Sequence, residues 1–530
     1  MKKLITIELN PEQIHNTELI KTIAARTCHV SVENITAVNY IKRSLDSRNK
    51  KNKYSLCAEV YSDEPFIEKQ LIKAKYKEAS HKKNVIIIGA GPSGYFSALE
   101  FLEYGIKPII FERGKDVRKR RFDLKAIMQK GIVNPNSNYC FGEGGAGAYS
   151  DGKLYTRSNK RGDIKKALQI FVEQGASPDI MIDACPHIGS NKLPKIISNL
   201  RETIIKFGGE INFDSQVTDI NIYNNSIKSI VINNNKEIFG NIFIFATGHS
   251  ARDIYYLFNR KNIKLEQKPY AIGFRVEHYQ DLINEIQYGK NHSELLPPAN
   301  YRLTAQVGKG VFSFCMCPGG IIVPASTADK ELVVNGMSMS ARNSKFANAG
   351  IVTSVDNNDF NQFANYGVLS GLKFQEFIEN SFFTGSYTPS NNSKNLLKAP
   401  AQRLLDFTNN RNSSSLMETS YIPGIEINFF KNLLPKRIAR DLQKGIILFG
   451  KTMRGFLTQE ANIIGLESRT SSPIRIPRDK ELFSHTEIKN MFPCGEGSGY
   501  AGGMISSAMD GQNCAKAIIK YCFNIEINNH

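Results

Sequence analysis

Residues 84–113, NVIIIGAGPSGYFSALEFLEYGIKPIIFER, constrain the fold of this chain more than any other segment. Their pattern predicts an apolar strand, a glycine turn, a helix and a second apolar strand, which together form a βαβ unit. Strands that are apolar throughout are typical of a parallel sheet that is covered on both faces. We therefore expect an α/β protein with a doubly wound, Rossmann-like parallel sheet. The length of 530 residues predicts more than one domain.

The turn of this unit has the spacing G-x-G-x-x-G, which is specific for dinucleotide binding when it follows a strand and opens a helix. Gly89 would allow the tight turn, Gly91 would let the backbone approach a pyrophosphate, and Gly94 would let the helix pack against the strand. The phosphates would lie at the positive end of the helix dipole. A purely structural glycine turn is the alternative. The residues predicted to bind the dinucleotide here are Gly89, Ala90, Gly91, Pro92, Ser93 and Gly94.

Glu112 ends the second predicted strand, where dinucleotide-binding proteins of this kind carry an acid. A carboxylate at this position can accept a hydrogen bond from a ribose hydroxyl of the adenosine half, and it disfavours the 2′-phosphate of NADP. We therefore predict that Glu112 and the following Arg113 contact the cofactor, and that this site does not hold NADP.

Residues 140–154, CFGEGGAGAYSDGKL, form a glycine-rich stretch. Such a stretch is either a flexible linker or a backbone kept bare so that a ligand can lie against it. Its position shortly after Glu112 favours the second interpretation. We predict that Ser150 and Lys153 face the reacting side of the cofactor. The residues predicted to approach the cofactor most closely are Gly144, Gly145, Ala146 and Gly147.

Two further small-residue turns follow apolar strands. One of them, CGEGSGYAGGM at residues 494–504, precedes a long helix. The first N–H groups of that helix could stabilise an anionic reduced flavin, and the acid after the strand could bind ribityl hydroxyls. Its predicted contacts are Gly495, Glu496, Gly502, Gly503 and Met504. The other is FATGHS at residues 245–250, and its predicted contacts are Ala246, Thr247 and Gly248, with Val217 from an earlier strand.

These turns, in this order and this far apart, are unlike a simple NAD-dependent Rossmann dehydrogenase. Together with SDGKL, FCMCPGG, APAQRL, SYIPGI and GFLTQEANIIGLESRTSSPIRIPRD, they resemble a bacterial family of uncharacterised FAD-dependent dehydrogenases (NAD(P)/FAD-dependent oxidoreductases). The resemblance covers nearly the whole chain, including KRSLDSR at residues 42–48. It implies the two-dinucleotide-binding flavoprotein fold and FAD as the cofactor, and it leaves the reaction open. We expect hydride transfer through flavin N5, with an unknown substrate.

The same reasoning divides the chain into five segments. Residues 1–62 are predicted to form a small N-terminal α+β (ferredoxin-like) module, and residues 63–83 a linker. Residues 84–264 and 431–530 are assigned to the first and second parts of the FAD-binding domain, and residues 265–430 to an inserted mixed α/β substrate domain. No second G-x-G-x-x-G follows a predicted strand after residue 112, so NAD(P)H is expected to bind only transiently.

Five residues are candidates for catalysis. Cys315 and Cys317, in SFCMCPGG, would share one face of a strand, so they could meet and relay electrons. The alternative is two small buried apolar residues. Arg342 and Arg469 are candidate clamps for a carboxylate or phosphate, because arginine binds such groups in a bidentate manner, although surface arginines are the alternative. Lys153 is the fifth candidate. The substrate is expected to be a small molecule, and the two arginines suggest that it could be anionic. His249 is expected only to support the site.

The bulk composition limits the other possibilities. Nine cysteines without a paired CxxC motif favour a reducing compartment, so we expect a cytoplasmic protein without a metal site. No apolar run reaches the roughly 18 residues needed to cross a bilayer. The formal charge of +18 and the basic segment at residues 40–54 allow a different function, a flavoprotein that binds or modifies RNA through its N-terminal module. A flavin-binding scaffold without enzymatic activity is a third possibility.

Overall fold

A computed structural model describes residues 1–67, 71–155, 162–386 and 397–527. Residues 68–70 of the predicted linker therefore lie outside the described part. The helices, numbered along the chain, are α1 (Thr17–Cys28), α2 (Pro92–Leu102), α3 (Val117–Lys130), α4 (Ile164–Glu173), α5 (Leu193–Lys206), α6 (Arg252–Arg260), α7 (Gln280–Tyr288), α8 (Ser370–Ser386), α9 (Leu404–Thr408), α10 (Phe430–Leu433), α11 (Lys436–Thr452) and α12 (Met504–Cys522).

The strands form six sheets in the described residues. They are β1 (Lys2–Leu9), β2 (Ile35–Asp46), β3 (Lys53–Ser62), β4 (Ser80–Ile88), β5 (Ile106–Phe111), β6 (Glu210–Asn212), β7 (Val217–Tyr223), β8 (Ser226–Ile232), β9 (Lys236–Phe239), β10 (Phe243–Phe245), β11 (Glu266–Gln267), β12 (Tyr270–Tyr279), β13 (Thr304–Ala305), β14 (Val311–Cys317), β15 (Gly320–Pro324), β16 (Val334–Ser338), β17 (Phe346–Val355), β18 (Ala399–Arg403), β19 (Ile425–Ile427), β20 (Asn462–Glu467), β21 (Ile474–Arg475) and β22 (Met491–Pro493).

The N-terminal module is an antiparallel sheet of order β1-β3-β2 with α1 packed against it. In β1 every second side chain is buried, as its apolar–polar alternation predicts, and Ile5 and Ile7 meet Ile20 of α1 in a small core. The α+β character that the sequence indicates is thus present. Residues 1–62, all of them described, contain three strands and one α-helix, so the ferredoxin-like pattern of four strands and two helices is not formed.

The predicted βαβ unit lies at the centre of a parallel sheet of order β22-β10-β4-β5-β6. Val85 and Ile87 of β4 point to one face, where they share a core with α2, α5 and α12. Ile86 and Ile88 point to the other face. β4 begins at Ser80, so the first strand starts inside the segment that was predicted as a linker.

The second face of the parallel sheet differs from the doubly wound prediction. It is covered mainly by the antiparallel sheet β7-β8-β9, with α6 beside it, instead of by a full layer of helices. Ile220 and Ile230 of that small sheet pack in one core with Phe243 and Phe245 of β10. The Rossmann-like parallel sheet is confirmed, and its three layers are helices, parallel sheet and antiparallel sheet.

A larger mixed sheet of order β13-β14-β17-β12-β20-β18-β19 forms the second half of the molecule. Helices α8 and α11 contribute to its core, with Phe374 and Ile446 among the buried side chains. β20 pairs with β12 and β18, so residues 436–467 belong to this sheet and its core. The predicted return to the FAD-binding domain at residue 431 therefore comes too early, because the chain leaves the seven-stranded sheet only after Glu467.

Candidate cofactor and active site

A cavity of about 840 Å³ opens at the carboxyl ends of β4, β5 and β10. Its lining includes Ile88, Phe111 and Ala246, which end or follow these strands, and Phe314 from the seven-stranded sheet. The chain runs from β4 to β5 in one direction and places β10 on the other side, so the cavity lies at the point where the strand order reverses. Ligands of open α/β sheets bind at this topological position.

The three glycines of the first turn have different tasks. Gly89 has a φ of +108°, and a Cβ there would lie 2.4 Å from the Ala246 carbonyl oxygen. A Cβ on Gly94 would lie 2.0 Å from the Gly89 oxygen. These two glycines are therefore required by packing. A Cβ on Gly91 would meet nothing closer than the Gly145 Cα at 4.0 Å, so the bare backbone of Gly91 faces the cavity.

Glu112 holds the glycine segments together as well as lining the cavity. Its carboxylate accepts hydrogen bonds from the backbone N–H of Ala90 at 2.9 Å, Gly142 at 2.9 Å and Gly114 at 3.0 Å. Its contact with a ribose stays a prediction, and the structural role is one that the sequence did not indicate. The neighbouring Arg113 donates to Asp253, and its guanidinium lies 4.4 Å from the centre of the Phe141 ring.

The glycine-rich stretch at residues 140–154 is part of the cavity wall. The Gly144 N–H donates to the Ala90 carbonyl at 2.9 Å, which joins it to the first glycine turn. A Cβ on Gly145 would lie 3.4 Å from the Gly91 Cα, and one on Gly147 would lie 3.0 Å from the Met504 Cε. Gly144 and Gly145 also have φ values of +79° and +58°, which favour glycine, so the stretch is an ordered part of the wall and not a linker.

The two later turns complete the wall. A Cβ on Gly248 or Gly502 would meet no atom within 4 Å, so both present open backbone to the cavity. Gly495 has a φ of +77° and packs on Ser93, while its N–H donates to Asp510 at 2.7 Å. The α2 and α12 helices thus both begin at this cavity, with Pro92 and Met504 as their first residues.

The residues predicted to bind the cofactor fall into two groups. Ala90, Gly94, Gly144 and Gly495 do not line the cavity and instead hold its wall in place. The predicted residues that line the cavity are Gly89, Gly91, Pro92, Ser93, Glu112, Arg113, Gly145, Ala146, Gly147, Val217, Ala246, Thr247, Gly248, Glu496, Gly502, Gly503 and Met504.

Lys153 reaches from the glycine-rich stretch to β14. Its ammonium donates to the Met316 carbonyl and lies 3.9 Å from the Cys315 Sγ and 4.0 Å from an Asp151 oxygen. Burial lowers the pKa of Lys153, but the nearby Cys315 and Asp151 groups outweigh burial and raise the pKa overall. Lys153 is therefore a permanently charged group on the cavity wall.

A β-bulge places the Cys315 side chain at the cavity. The pairing of β14 with β17 shifts register between Phe314 and Cys317, and Cys315 has a φ of +44°. Bulges next to active sites redirect side chains in this manner. Cys315 lines the cavity, whereas Cys317 is fully buried with its Sγ 3.3 Å from the Cys315 carbonyl oxygen. The cysteines approach each other through the bulge and not through the regular strand that the sequence predicted.

The two thiols have different acidities. A hydrogen bond from the Cys317 thiol lowers the pKa of Cys315 to about 5, and the positive charges of Lys153 and Arg275 act in the same direction against burial. The same hydrogen bond, together with burial, raises the pKa of Cys317. Cys315 is thus the more acidic thiol of the pair and ionises first, while the Cys317 thiol lies 3.3 Å from the Cys315 carbonyl oxygen.

Arg275 is one functional-site residue that sequence reasoning missed. It is fully buried in β12, and its guanidinium donates to Asn348 at 2.8 Å, to Glu467 at 2.5 Å and to the Cys315 carbonyl at 2.7 Å. It therefore fixes the bulge. Burial raises the pKa of Glu467 to about 7 in spite of the Arg275 charge. An arginine within the largely apolar YAIGFRV, residues 270–276, was the available signal.

Arg342 is placed differently from the prediction. It does not line the cavity, and its guanidinium donates to Asp151 at 2.8 Å. Asp151 in turn accepts a hydrogen bond from Ser338 and lies beside Lys153. Arg342 therefore orients Asp151, and the predicted substrate clamp has no support from this position.

Arg469 belongs to a buried ion cluster, which consists of Arg252, Glu331, Glu379 and Arg469. Arg469 lies 2.6 Å from a Glu331 oxygen and 3.1 Å from a Glu379 oxygen. Arg252 lies 2.8 Å from each of the same two carboxylates. Arg469 lines the cavity, but these carboxylates neutralise its charge. Its predicted role as an anion clamp therefore has less support.

Lys268 and Arg475 are the basic groups that face the cavity near Glu496. Burial and the Arg475 charge lower the pKa of Lys268, whose ammonium donates to the Ser471 hydroxyl at 3.3 Å. His249 lines the cavity with its Nδ1 3.4 Å from a Glu496 oxygen, and its supporting role stays a prediction. Lys268 could not be found from the sequence, because it has no local pattern that distinguishes it from other lysines.

Comparisons with known proteins agree with this arrangement. An uncharacterised protein of Clostridium beijerinckii is 37% identical over 545 residues, which cover 97% of this chain and 99% of the relative. Residues 269–470 match the family model described as "FAD-dependent protein, C-terminal domain-like", and residues 1–61 match a domain of unknown function. The chain belongs to an uncharacterised family of FAD-dependent proteins. The predicted FAD is thereby confirmed, and the larger matched segment coincides with the seven-stranded sheet.

Solved structures resemble the chain only weakly. A flavoprotein/dehydrogenase from Cytophaga hutchinsonii has 12% identity and a TM-score of 0.36, covering 84% of this chain and 80% of its own. The glycerol-3-phosphate dehydrogenase from Bacillus halodurans has 10% identity and a TM-score of 0.37, covering 85% and 67%. Likenesses this weak do not bear on the function.

Proposed function

We propose that this protein is an FAD-dependent oxidoreductase that acts on a small-molecule substrate in the cavity between the parallel and seven-stranded sheets. The observation that carries the proposal is that one cavity combines a bare glycine wall and two helix N-termini with a lysine ammonium and a cysteine sulfur that lie 3.9 Å apart. The first set of features suits a dinucleotide, and the second suits chemistry on a substrate beside it.

The residues present fit FAD. A volume of about 840 Å³ lies within the range of roughly 300–1,000 Å³ that is usual for cofactor sites. Gly91 and Gly145 would lie along the pyrophosphate at the start of α2, and Glu112 would accept from the adenosine ribose. Gly502 and Gly503 would approach the flavin end at the start of α12. The open backbone at Gly91 and Gly502 supports this orientation, because side chains there would fill the cradle.

A bound flavin supplies hydride transfer, and the protein supplies position and electrostatics. The N-terminus of α12 favours negative charge at the cavity. Lys153, charged and fixed by the Met316 carbonyl, would stabilise negative charge on a substrate or on Cys315. Phe314 and Cys315 of the seven-stranded sheet form a further part of the cavity wall.

A nicotinamide donor would bind transiently from the side of Lys268 and Arg475. These cations line the cavity near the end of β22 and could pair with a phosphate or with an anionic substrate. The RNA-binding alternative has less support, because several cations of its basic segment are paired. Arg43 donates to Asp183 at 2.7 Å, and Arg48 lies 2.5 Å from Asp46.

The proposal is tested by reduction of the FAD-reconstituted protein. Under anaerobic conditions we expect NADH or NADPH to bleach the flavin absorbance, and we expect Lys153→Met to slow bleaching about tenfold. Lys261→Met is the matched control, because Lys261 pairs with Asp219 outside the cavity and its loss should leave the rate unchanged. A flavin that neither nicotinamide nor a panel of small anionic donors reduces would point to a non-enzymatic scaffold and overturn the proposal.

A further inference from the structure

Cys315 and Cys317 form a pair with features that simple core cysteines do not need. Cys315 faces the cavity from the bulge, and the Cys317 thiol lies directly behind it, 3.3 Å from the Cys315 carbonyl oxygen. Both are free thiols in the structure. Two small apolar residues would fill the same space without a left-handed backbone at Cys315, which most residues avoid.

The surroundings favour reaction at one sulfur of the pair. The Lys153 ammonium lies 3.9 Å from the Cys315 Sγ, and the Arg275 guanidinium lies 3.9 Å from the Cys317 Sγ. Positive charges stabilise a thiolate, which is the form that attacks a disulfide or leaves from one. Burial of Cys317 keeps the second sulfur away from competing thiols. This division into an accessible sulfur and a protected sulfur is typical of reactive dithiols.

We infer that Cys315 and Cys317 form a redox-active dithiol that exchanges two electrons with the cofactor in the same cavity. In the oxidising direction the Cys315 thiolate and the Cys317 S–H lose two electrons and one proton while one S–S bond forms. The two electrons and the proton pass to the bound oxidised flavin, which is the two-electron acceptor. In the reverse direction the S–S bond breaks as the pair takes up two electrons and one proton.

The dithiol would make the substrate side of the reaction a thiol–disulfide exchange. A disulfide-containing small molecule would be attacked by the Cys315 thiolate, and Cys317 would then resolve the mixed disulfide. The inference rests on the proposed function for the electron exchange with FAD. The formation of the Cys315–Cys317 disulfide itself does not depend on FAD and can be measured in the apoprotein.

The first experiment follows the pair without cofactor. Trypsin releases residues 310–330 as one peptide, in which Cys315 and Cys317 are the two cysteines. The apoprotein is equilibrated in glutathione buffers of increasing oxidising power, quenched with acid, alkylated and digested. We expect both alkylation sites to disappear together and reversibly, leaving a peptide lighter by two hydrogen atoms. Two alkylated cysteines throughout the series, or glutathione bound at Cys315 alone, would overturn the inference.

Variants and an internal control sharpen this experiment. Cys315→Ser and Cys317→Ser each leave one thiol, so neither can give the lighter peptide. Cys57, a half-buried cysteine of the N-terminal module, should stay alkylatable or take up glutathione without an intramolecular disulfide. A lighter peptide that persists in either serine variant would contradict the assignment.

The second experiment counts electrons in the holoprotein. The pre-oxidised, FAD-reconstituted protein is titrated anaerobically with dithionite and followed at the flavin absorbance. We expect wild type to take up four electrons per FAD, and Cys315→Ser and Cys317→Ser to take up two, because only the flavin remains. Two electrons in wild type would overturn the relay and leave the proposed function standing. Failure to bind FAD would overturn the proposed function and the electron exchange, while the result in the apoprotein would report separately on the disulfide.

Discussion

At the scale of single residues, the conformation of Cys315 decides what the cysteine pair can do. A regular strand would place residues 315 and 317 on one face, which is what the sequence predicted. The φ of +44° at Cys315 instead forms a bulge, and the Arg275 hydrogen bond to its carbonyl holds that bulge in place. The pair therefore depends on a residue in another strand, which no local pattern around the cysteines could indicate.

The acidity of Cys315 can be measured directly. Because the hydrogen bond from Cys317 is the largest cause of the lowered pKa, we expect iodoacetamide to alkylate Cys315 with a midpoint near pH 5. Cys317→Ala removes the donor and should raise the midpoint by at least about one unit, toward the usual value of about 8.5. Cys317→Ser keeps an O–H donor and should stay closer to wild type. The rate is followed by mass spectrometry of the peptide at residues 310–330, and equal midpoints in all three proteins would contradict this account.

At the scale of elements, the buried ion cluster ties the two sheets together. Arg252 belongs to α6 beside the parallel sheet, whereas Glu379 belongs to α8 of the seven-stranded unit. Burial raises the pKa of Glu379, but Arg252 and Arg469 outweigh burial and lower it to about 2. The cluster therefore stabilises the fold while Glu379 is ionised.

Removing the charge of Glu379 should destabilise the folded protein. Glu379→Gln leaves two buried arginines short of a carboxylate, so we expect the free energy of unfolding at pH 7 to fall by about 3–5 kcal/mol. Because the folded-state pKa is depressed, the wild-type advantage is present above the unfolded pKa of about 4.5 and is lost as the pH falls toward 2. Urea unfolding at pH 7 and pH 3 measures both effects. Glu376→Gln is the control, since Glu376 and Lys373 form a partly exposed pair and should contribute about 1 kcal/mol or less.

The elements also show where sequence reasoning succeeds and where it ends. The strand, turn and helix at residues 84–102 were predicted correctly, because the apolar run and the glycine spacing are local signals. β20 was assigned to the wrong half of the molecule. All six of its residues are buried, so its sequence marks it as a central strand without indicating which sheet it joins. The packing of the antiparallel strands β7, β8 and β9 on the parallel sheet was not predicted for the same reason, since the packing between sheets is decided by distant residues.

At the scale of the whole molecule, positive side chains are abundant, and several of them are paired with carboxylates. The N-terminal module is joined to the parallel-sheet unit through Arg43, which pairs with Asp179 and Asp183. Lys42, Lys50 and Lys51 stay exposed on the same segment. No helix in the described part of the chain is long and apolar enough to cross a membrane.

RNA binding through the basic segment would depend strongly on salt, because it would rest on contacts with phosphates. Since Arg43, Arg48 and Lys53 already face carboxylates, we expect no retained complex in a gel shift with single-stranded RNA at physiological salt. The control is the triple variant Lys42→Gln, Lys50→Gln and Lys51→Gln at low salt. A complex that survives physiological salt in wild type and is lost in this variant would revive the RNA-binding function.

The central claim is that the bare glycine wall holds FAD. Binding of FAD to the apoprotein, followed by quenching of flavin fluorescence, tests it most directly when wild type, Gly91→Val and the shorter flavin FMN are compared. A Cβ at residue 91 would lie 4.0 Å from its nearest neighbour, the Gly145 Cα, so a valine there meets no clash at Cβ and the fold should persist with a similar melting temperature. We predict that wild type binds one FAD per chain. Gly91→Val should bind FAD at least tenfold more weakly, which corresponds to about 1.4 kcal/mol. Wild type should bind FMN more weakly than FAD, because FMN lacks the adenosine half. Equal affinity of wild type and Gly91→Val for FAD, or no saturable binding at all, would contradict the account.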